Sequence, residues 1–133
     1  MKPVFADTSY YVALLGSRDA WHARAVEFSA NLLSRIFVTE YILVETASMF
    51  CRGSDRALYL TLVRDLETDP LTRIIPASQA LFRQGLDLFA ARPDKDWSLV
   101  DCISFVVMKQ HRLIDVLTTD DHFKQAGFNR LLT

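Results

Sequence analysis

Short runs of β-forming residues alternate with helical segments along the whole chain, and this alternation restricts the possible folds more than any other feature. Strands are predicted at residues 3–6, 36–39, 71–75 and 115–118, with a possible fifth strand at 128–132. Helices are predicted over residues 10–15, 21–34, 40–52, 54–68, 78–91, 98–111 and 120–126. The pattern predicts an α/β fold: a three-layer sandwich whose central, mostly parallel sheet of four to five strands is covered by helices on both faces.

The composition of the 133 residues indicates a single domain over residues 1–133, without a membrane segment. Half of the residues are hydrophobic, which argues against disorder, and the two cysteines lack the spacing of a metal site. Isolated cysteines are typical of a reduced compartment, so a cytoplasmic location is expected. The net charge of −1 does not indicate a protein that coats nucleic acid, although arginine, which outnumbers lysine, suits phosphate recognition.

Two aspartates follow predicted strands directly and precede predicted helices. Asp7 ends the first strand and is followed by Thr8 and Ser9, and Asp120 comes after Thr118 in a matching arrangement. Ligands of open α/β sheets bind at the carboxyl ends of the strands, where both acids are expected. An alternative for Asp7 is that it only caps the helix that follows, because Asp, Thr and Ser are all good caps.

Two further acids interrupt apolar helical faces. Glu45 lies three residues after Ile42 and four before Met49, so it is predicted to share a face with core side chains. A buried carboxylate needs a partner, which is either a metal ion or an arginine such as Arg52. Asp101 also follows an apolar stripe, but it completes a capping box with Ser98, and this box alone explains an acid at that position.

Together these acids predict a metal site at one sheet edge. Asp7, Glu45, Asp101 and Asp120 are expected to converge there without a neighbouring counter-charge, which favours Mg²⁺ or Mn²⁺ as ligand. Carboxylate-held divalent ions are a recurrent device for phosphodiester hydrolysis by water. Asp96, in the preceding loop, is within reach of the same place, although taken alone it is more typical of a solvated charge.

Five short segments carry a resemblance to a known family: Ala6–Ser9, Leu43–Thr46, Asp94–Asp101, Leu117–Phe123 and Ala126–Phe128. In their order and spacing they resemble PIN-domain ribonucleases, and among them the VapC-type toxins, over nearly the whole chain. The resemblance implies a PIN-like nuclease domain whose metal-binding acids are Asp7, Glu45, Asp101 and Asp120, with Asp96 as an accessory acid. It also implies that hydroxyl side chains support these acids, namely those of Thr8, Ser9, Ser98 and Thr118.

Membership of this family would imply Mg²⁺- or Mn²⁺-dependent endonucleolytic cleavage of RNA that leaves a 5′-phosphate and a 3′-hydroxyl. Homodimers and inhibition by a small antitoxin protein are also usual in the family. The chain departs from the family pattern at Cys102, where a small alanine is usual, and at Asp121, whose extra charge would lie beside the metal site. His122 is predicted to be a surface histidine rather than a general base, because no partner is visible.

Three arginines are weak candidates for phosphate contacts: Arg18, Arg52 and Arg56. Two other functions fit part of the pattern. One is a PIN-like module that binds RNA or protein without cutting it, which is disfavoured because four acids without metal repel one another. The other is a phosphatase that uses Asp7 as nucleophile, which would be expected to carry a second acid where Ser9 stands.

Overall fold

The computed structural model of the protein describes residues 2–133, and its centre is a sheet of five strands. The strands are β1 (Val4–Ala6), β2 (Ile36–Thr39), β3 (Thr72–Ile75), β4 (Asp115–Leu117) and β5 (Asn129–Arg130). The helices are α1 (Thr8–Leu15), α2 (His22–Asn31), α3 (Glu40–Ser48), α4 (Asp55–Thr68), α5 (Gln79–Ala91), α6 (Leu99–Gln110) and α7 (Asp121–Gln125). All paired strands run parallel, so the predicted α/β fold is confirmed.

The strand order is β3-β2-β1-β4-β5, so the chain builds the sheet outward from β1 in two directions. It adds β2 and β3 on one side, and then returns through α5 and α6 to add β4 and β5 on the other. Because parallel crossovers are right-handed, reversing direction moves the later helices to the opposite face of the sheet. The reversal point lies between β1 and β4, where such sheets form a crevice at their carboxyl ends.

The centre of the core is formed by β1, β4 and α6. Phe5 and Val116 on the two adjacent strands are fully buried, as expected for the central strands of a parallel sheet. Above them, Phe105 of α6 makes edge-to-face contacts with Trp97 and Phe123, with ring centroids 5.0 Å apart in both pairs. These aromatic contacts fix α6 and α7 over β4, which places their first turns at the carboxyl edge of the sheet.

Several predicted details differ from the structure. Helix α2 ends at Asn31 instead of residue 34, α3 ends at Ser48 instead of residue 52, and β5 contains two residues instead of five. Gly53, which lies between α3 and α4, has a positive φ of 55°, where a residue without a Cβ atom avoids steric strain. In the part of the chain that the structure describes, no helix is long and apolar enough to cross a membrane.

Helices α5 and α6 approach each other most closely at Gly85. A Cβ atom at this position would lie 2.3 Å from Cγ1 and 3.3 Å from Cα of Ile103. We therefore expect Gly85→Ala to lower the free energy of unfolding by about 1–3 kcal/mol, although alanine is the better helix former. Chemical denaturation checks this change, and the Ile103→Ala background is the control. If the same loss persists without the Ile103 side chain, the close contact is not its cause.

Candidate active site

The four acids predicted from the sequence converge on one cleft at the carboxyl edge of the sheet. The cleft has a volume of about 530 Å³ and lies at the reversal point between β1 and β4. The backbone N–H of Asp7 donates to the carbonyl of Leu117 at 3.1 Å, which joins the ends of the two strands. The acids that line the cleft are Asp7, Asp19, Glu45, Asp101 and Asp120.

Asp7 is the most deeply buried of these acids, with a residual exposure of 4%. Its Oδ2 atom accepts hydrogen bonds from the hydroxyls of Thr118, at 2.8 Å, and Ser9, at 2.9 Å. Burial raises the pKa of Asp7 to about 6; the two hydroxyls oppose this shift and the charge of Asp101 adds to it. The carboxyl also caps α1 by accepting from the N–H of Ser9, so Asp7 caps a helix and lines the cleft at the same time.

The hydroxyls of Ser9 and Thr118 connect the ends of the two central strands. The Ser9 oxygen accepts from the N–H of Thr119, and the Thr118 oxygen accepts from the N–H of Asp120, both at 3.0 Å. Because each oxygen accepts from the backbone, its proton is free to be donated to Asp7. The orientation of the Asp7 carboxylate is therefore set by the backbone of the loop that carries Asp120.

Asp101 occupies the first turn of α6 and forms the predicted capping box. Its backbone N–H donates to the Ser98 hydroxyl, and its Oδ2 atom accepts from the Ser98 N–H, both at 3.0 Å. Asp101 is nevertheless part of the cleft, and its Oδ2 lies 2.9 Å from Nδ1 of His122. The capping box and the cleft thus use the same carboxylate, and the cap holds it at a fixed position on the helix.

The prediction of a partnerless surface position for His122 is wrong. Its Nδ1 atom lies between two carboxylates, 2.9 Å from Oδ2 of Asp101 and 3.3 Å from Oδ2 of Asp120. Partial burial disfavours the imidazolium, but the hydrogen bond to Asp101 and the charges of Asp120, Asp101 and Asp96 outweigh it and raise the pKa of His122. The sequence did contain a signal for a contact with Asp120. His122 lies two residues after this acid, and an N-cap aspartate accepts a hydrogen bond from the backbone N–H at that position.

Asp120 begins α7 as its N-cap and faces the cleft at the same time. Its Oδ1 atom accepts from the His122 N–H at 2.9 Å, while Oδ2 faces the imidazole. One ligand atom each from Asp101, Asp120 and His122 lie within 4.8 Å of one another, a spacing that fits one cation. The carboxylate of the adjacent Asp121 lies outside the cleft, where its Oδ1 atom is 2.6 Å from Nη1 of Arg130.

Glu45 reaches the cleft from α3, which begins directly after β2 and is capped by the Thr39 hydroxyl. Its carboxylate accepts a hydrogen bond from the Thr8 hydroxyl at 2.5 Å. The prediction that Glu45 shares a fully apolar core face is wrong: the side chain is half-buried, and Met49 one turn later is 60% exposed. Within residues 2–133 no ion pair joins Glu45 to Arg52, which is exposed.

A fifth acid, Asp19, was not predicted to belong to the site. It lines the cleft beside Val12, and its Oδ1 atom accepts from the N–H of Trp21 at 2.8 Å. In the sequence it has the pattern of a helix-start charge, and only the packing of the turn between α1 and α2 brings it to the cleft. Asp96 is exposed and lies outside the lining of the cleft, where its charge still acts on His122.

The donor set of the cleft suits a hard divalent cation. All of its charged lining groups other than His122 are carboxylates, and no lysine or arginine of the described residues lines it. The three candidate phosphate-binding arginines, Arg18, Arg52 and Arg56, are exposed and do not line the cleft either. The five carboxylates outnumber His122 and therefore still repel one another, and oxygen ligands of this kind are those that Mg²⁺ and Mn²⁺ prefer.

A doubly wound parallel sheet with a cleft at its reversal point is typical of α/β proteins that bind their ligands at the carboxyl ends of the strands, and the clustered acids of this cleft could hold a metal ion. The profile of the family described as PIN domain matches residues 4–129. The chain therefore belongs to the PIN-domain family, and the predicted family and nuclease class are confirmed.

Relatives of known structure and activity share this architecture. The chain is 28% identical over 127 residues to the 23S rRNA-specific endonuclease VapC20 of Mycobacterium tuberculosis, in strains CDC 1551 and H37Rv, covering 94% of this chain and 95% of the relative. The crystal structure of M. tuberculosis VapC20, a sarcin–ricin loop cleaving toxin, superimposes with a TM-score of 0.88 at 23% identity, covering 98% and 99% of the two chains. FitAcB from Neisseria gonorrhoeae matches with a TM-score of 0.66 at 20% identity, covering 98% and 96%.

Proposed function

We propose that the protein is a VapC-type endoribonuclease that hydrolyses RNA phosphodiester bonds with water and requires Mg²⁺ or Mn²⁺. The observation that carries this proposal is the convergence of Asp7, Glu45, Asp101 and Asp120 on one cleft that no lysine or arginine of residues 2–133 lines. Hydrogen bonds hold three of these carboxylates in place, those of Asp7, Glu45 and Asp101, so the cluster is already assembled in the fold. We further propose that residues 1–133 act as one domain.

In this proposal the chain holds and orients the ligands of the metal. A divalent ion bound there supplies positive charge that polarises the phosphate and lowers the pKa of the attacking water. Thr118 and Ser9 fix the orientation of Asp7, Thr8 fixes that of Glu45, and Ser98 fixes that of Asp101. Asp96 would act as an accessory acid through its charge at the rim rather than as a ligand.

RNA is the proposed substrate because the family relative VapC20 is named as a 23S rRNA-specific endonuclease. Ribosomal RNA is therefore the first substrate class to test. If the protein only bound RNA or protein, the buried Asp7, whose pKa is raised, would have no role in chemistry. The phosphatase alternative is disfavoured because Ser9, two residues after Asp7, donates to Asp7 instead of supplying a second acid.

Purified protein is expected to cut 23S rRNA or a structured RNA pool when Mg²⁺ or Mn²⁺ is present, and to stop cutting in excess EDTA, because the carboxylates need the cation to act on a phosphate. Gel electrophoresis of end-labelled RNA measures the cleavage. Restoration of cleavage by added metal is the control for damage by the chelator. Cleavage that continues unchanged in EDTA would contradict a metal-dependent mechanism.

We also propose that the protein forms a homodimer and binds a small antitoxin protein in the cytoplasm. Apolar side chains exposed on α3 and α4 support a protein partner: Val44 is 71% exposed, and Leu58 and Leu60 are exposed as well. Free thiols at Cys51 and Cys102 fit a reduced compartment.

Sedimentation analysis of the wild-type protein is expected to detect a dimer. The Val44→Glu variant is expected to dimerise more weakly, because it places a charge where the exposed apolar side chain stands. A wild-type protein that remains monomeric at high concentration would exclude the homodimer.

A further inference from the structure

Among the described residues that line the cleft at the carboxyl edge of the sheet, His122 alone carries a side-chain nitrogen. Its Nδ1 atom lies 2.9 Å from Oδ2 of Asp101 and 3.3 Å from Oδ2 of Asp120. Neighbouring ligands of an octahedral ion, with bonds of about 2.1 Å, are about 3 Å apart. The nitrogen therefore lies at the distance from both oxygens that separates adjacent ligands of one divalent cation.

The local structure holds all three donor groups in place. The capping box fixes the carboxylate of Asp101 on the first turn of α6. Asp120 caps α7 with Oδ1, by accepting from the N–H of His122, so its Oδ2 atom is left facing the imidazole. Phe123, the next residue, is fully buried and makes an edge-to-face contact with Phe105, which fixes α7 against α6. Groups ordered in advance bind a ligand more tightly, because binding does not have to order them.

A purely supporting role for His122, as a hydrogen-bond donor that only orients Asp101, is the alternative. Thr118 supports Asp7 in this way, and it is fully buried and lies outside the lining of the cleft. His122 differs from Thr118 in position, because its side chain is 29% exposed and lines the cleft beside the carboxylates. This position is that of a ligand rather than of a group that supports one.

We propose that Nδ1 of His122 is a direct ligand of the metal ion, next to Asp101 and Asp120, and that this nitrogen makes the site prefer Mn²⁺ to Mg²⁺. This role rests on the proposed function, because it assumes that the cleft holds a metal ion. Mg²⁺ takes oxygen ligands, whereas imidazole nitrogen is a common ligand of transition-metal ions. The bound imidazole carries its proton on Nε2, which leaves the lone pair of Nδ1 for the metal.

The first probe is Mn²⁺, bound to the purified full-length protein and measured by electron spin-echo envelope modulation. A directly bound imidazole couples its nitrogen nucleus to the electron spin of Mn²⁺, so we expect nitrogen modulation in the wild type and its loss in His122→Ala. His111→Asn is the matched control, since His111 packs against Phe37 outside the cleft. Labelling histidine alone with the heavy nitrogen isotope is expected to change the modulation of the wild type, which assigns the signal without any substitution.

The second measurement compares the Kd of Mn²⁺ with that of Mg²⁺ by calorimetry. His122→Ala is expected to weaken binding of Mn²⁺ by about tenfold and binding of Mg²⁺ by less than about threefold, so that the preference for Mn²⁺ is lost. Circular dichroism of the variant checks that it remains folded. A histidine that only oriented Asp101 would affect both ions equally, so equal weakening would overturn the ligand role.

The two measurements also separate the ligand role from the proposed function. Asp101→Asn is expected to weaken binding of both ions, because both use the carboxylate oxygen. Mn²⁺ that binds to the wild type and is weakened by Asp101→Asn, but shows no histidine nitrogen modulation, would overturn the role of His122 and leave the metal-dependent nuclease standing. A wild-type protein that binds neither ion would overturn both.

Discussion

Replacing Asp101 with asparagine is expected to lower the rate of RNA cleavage by about 1000-fold while leaving the fold intact. A carboxylate-held divalent ion contributes several kcal/mol to phosphodiester hydrolysis, and each ~1.4 kcal/mol corresponds to a tenfold change in rate. Asparagine keeps a side-chain oxygen that can accept from the Ser98 N–H, so the capping box is retained. Single-turnover cleavage of the same RNA by both proteins, with circular dichroism of each, measures the two effects.

Asp121→Asn is the matched control for Asp101→Asn. Asp121 also lies near the first turn of a helix, but its carboxylate is exposed and pairs with Arg130 outside the cleft. We expect this variant to retain cleavage within about threefold of the wild type, because exposed ion pairs contribute little. Equal loss of activity in the two variants would mean that the general negative charge, rather than the position of Asp101, supports the reaction.

Asp7→Asn is expected to stabilise the metal-free protein by about 3 kcal/mol at pH 8, although it removes a proposed metal ligand. The pKa of Asp7 is about 6 in the folded protein and 3.8 without the influence of the fold. The native state therefore binds this proton more tightly than the unfolded chain. The contribution of Asp7 to stability is fully present below about pH 4 and is lost as the pH rises through about 6.

Asparagine remains neutral at all pH values, and its oxygen can still accept from Ser9 and Thr118. Chemical denaturation in EDTA is expected to give equal stabilities near pH 4 and a growing advantage for Asp7→Asn above it. Mg²⁺ or Mn²⁺ at about 1,000 times its Kd should reverse the order, because it stabilises by about 4.1 kcal/mol only a protein that binds it. If Asp7→Asn is the less stable protein in EDTA at pH 8, the buried carboxylate is not disfavoured by the fold.

Much of the fold follows from local patterns. The strand-length runs of β-forming residues, which alternate with helical segments, predicted all five strands and the order of the elements. The acids after β1 and β4 were predicted for the same reason, since a side chain that follows a parallel strand lies at the carboxyl edge. These signals are strong because they depend only on near neighbours in the chain.

The errors concern contacts between distant segments. His122 was expected to be without a partner, but packing of α7 against α6 brings it to Asp101, 21 residues earlier. Asp19 reaches the cleft through a turn whose path the sequence does not predict. Met49 has the periodicity of a core residue, yet it is exposed because only one side of α3 packs on the sheet.

The sequence by itself determined the parallel α/β architecture and the sheet edge that carries the acids. These properties follow from hydrophobic periodicity and from the position of the acids directly after predicted strands. The tertiary structure alone decided which oxygen of each acid faces the cleft, which hydroxyls orient it and how burial raises the pKa of Asp7. These properties depend on distances between residues such as Asp7 and Thr118, which lie far apart in the chain and meet only when the sheet has formed.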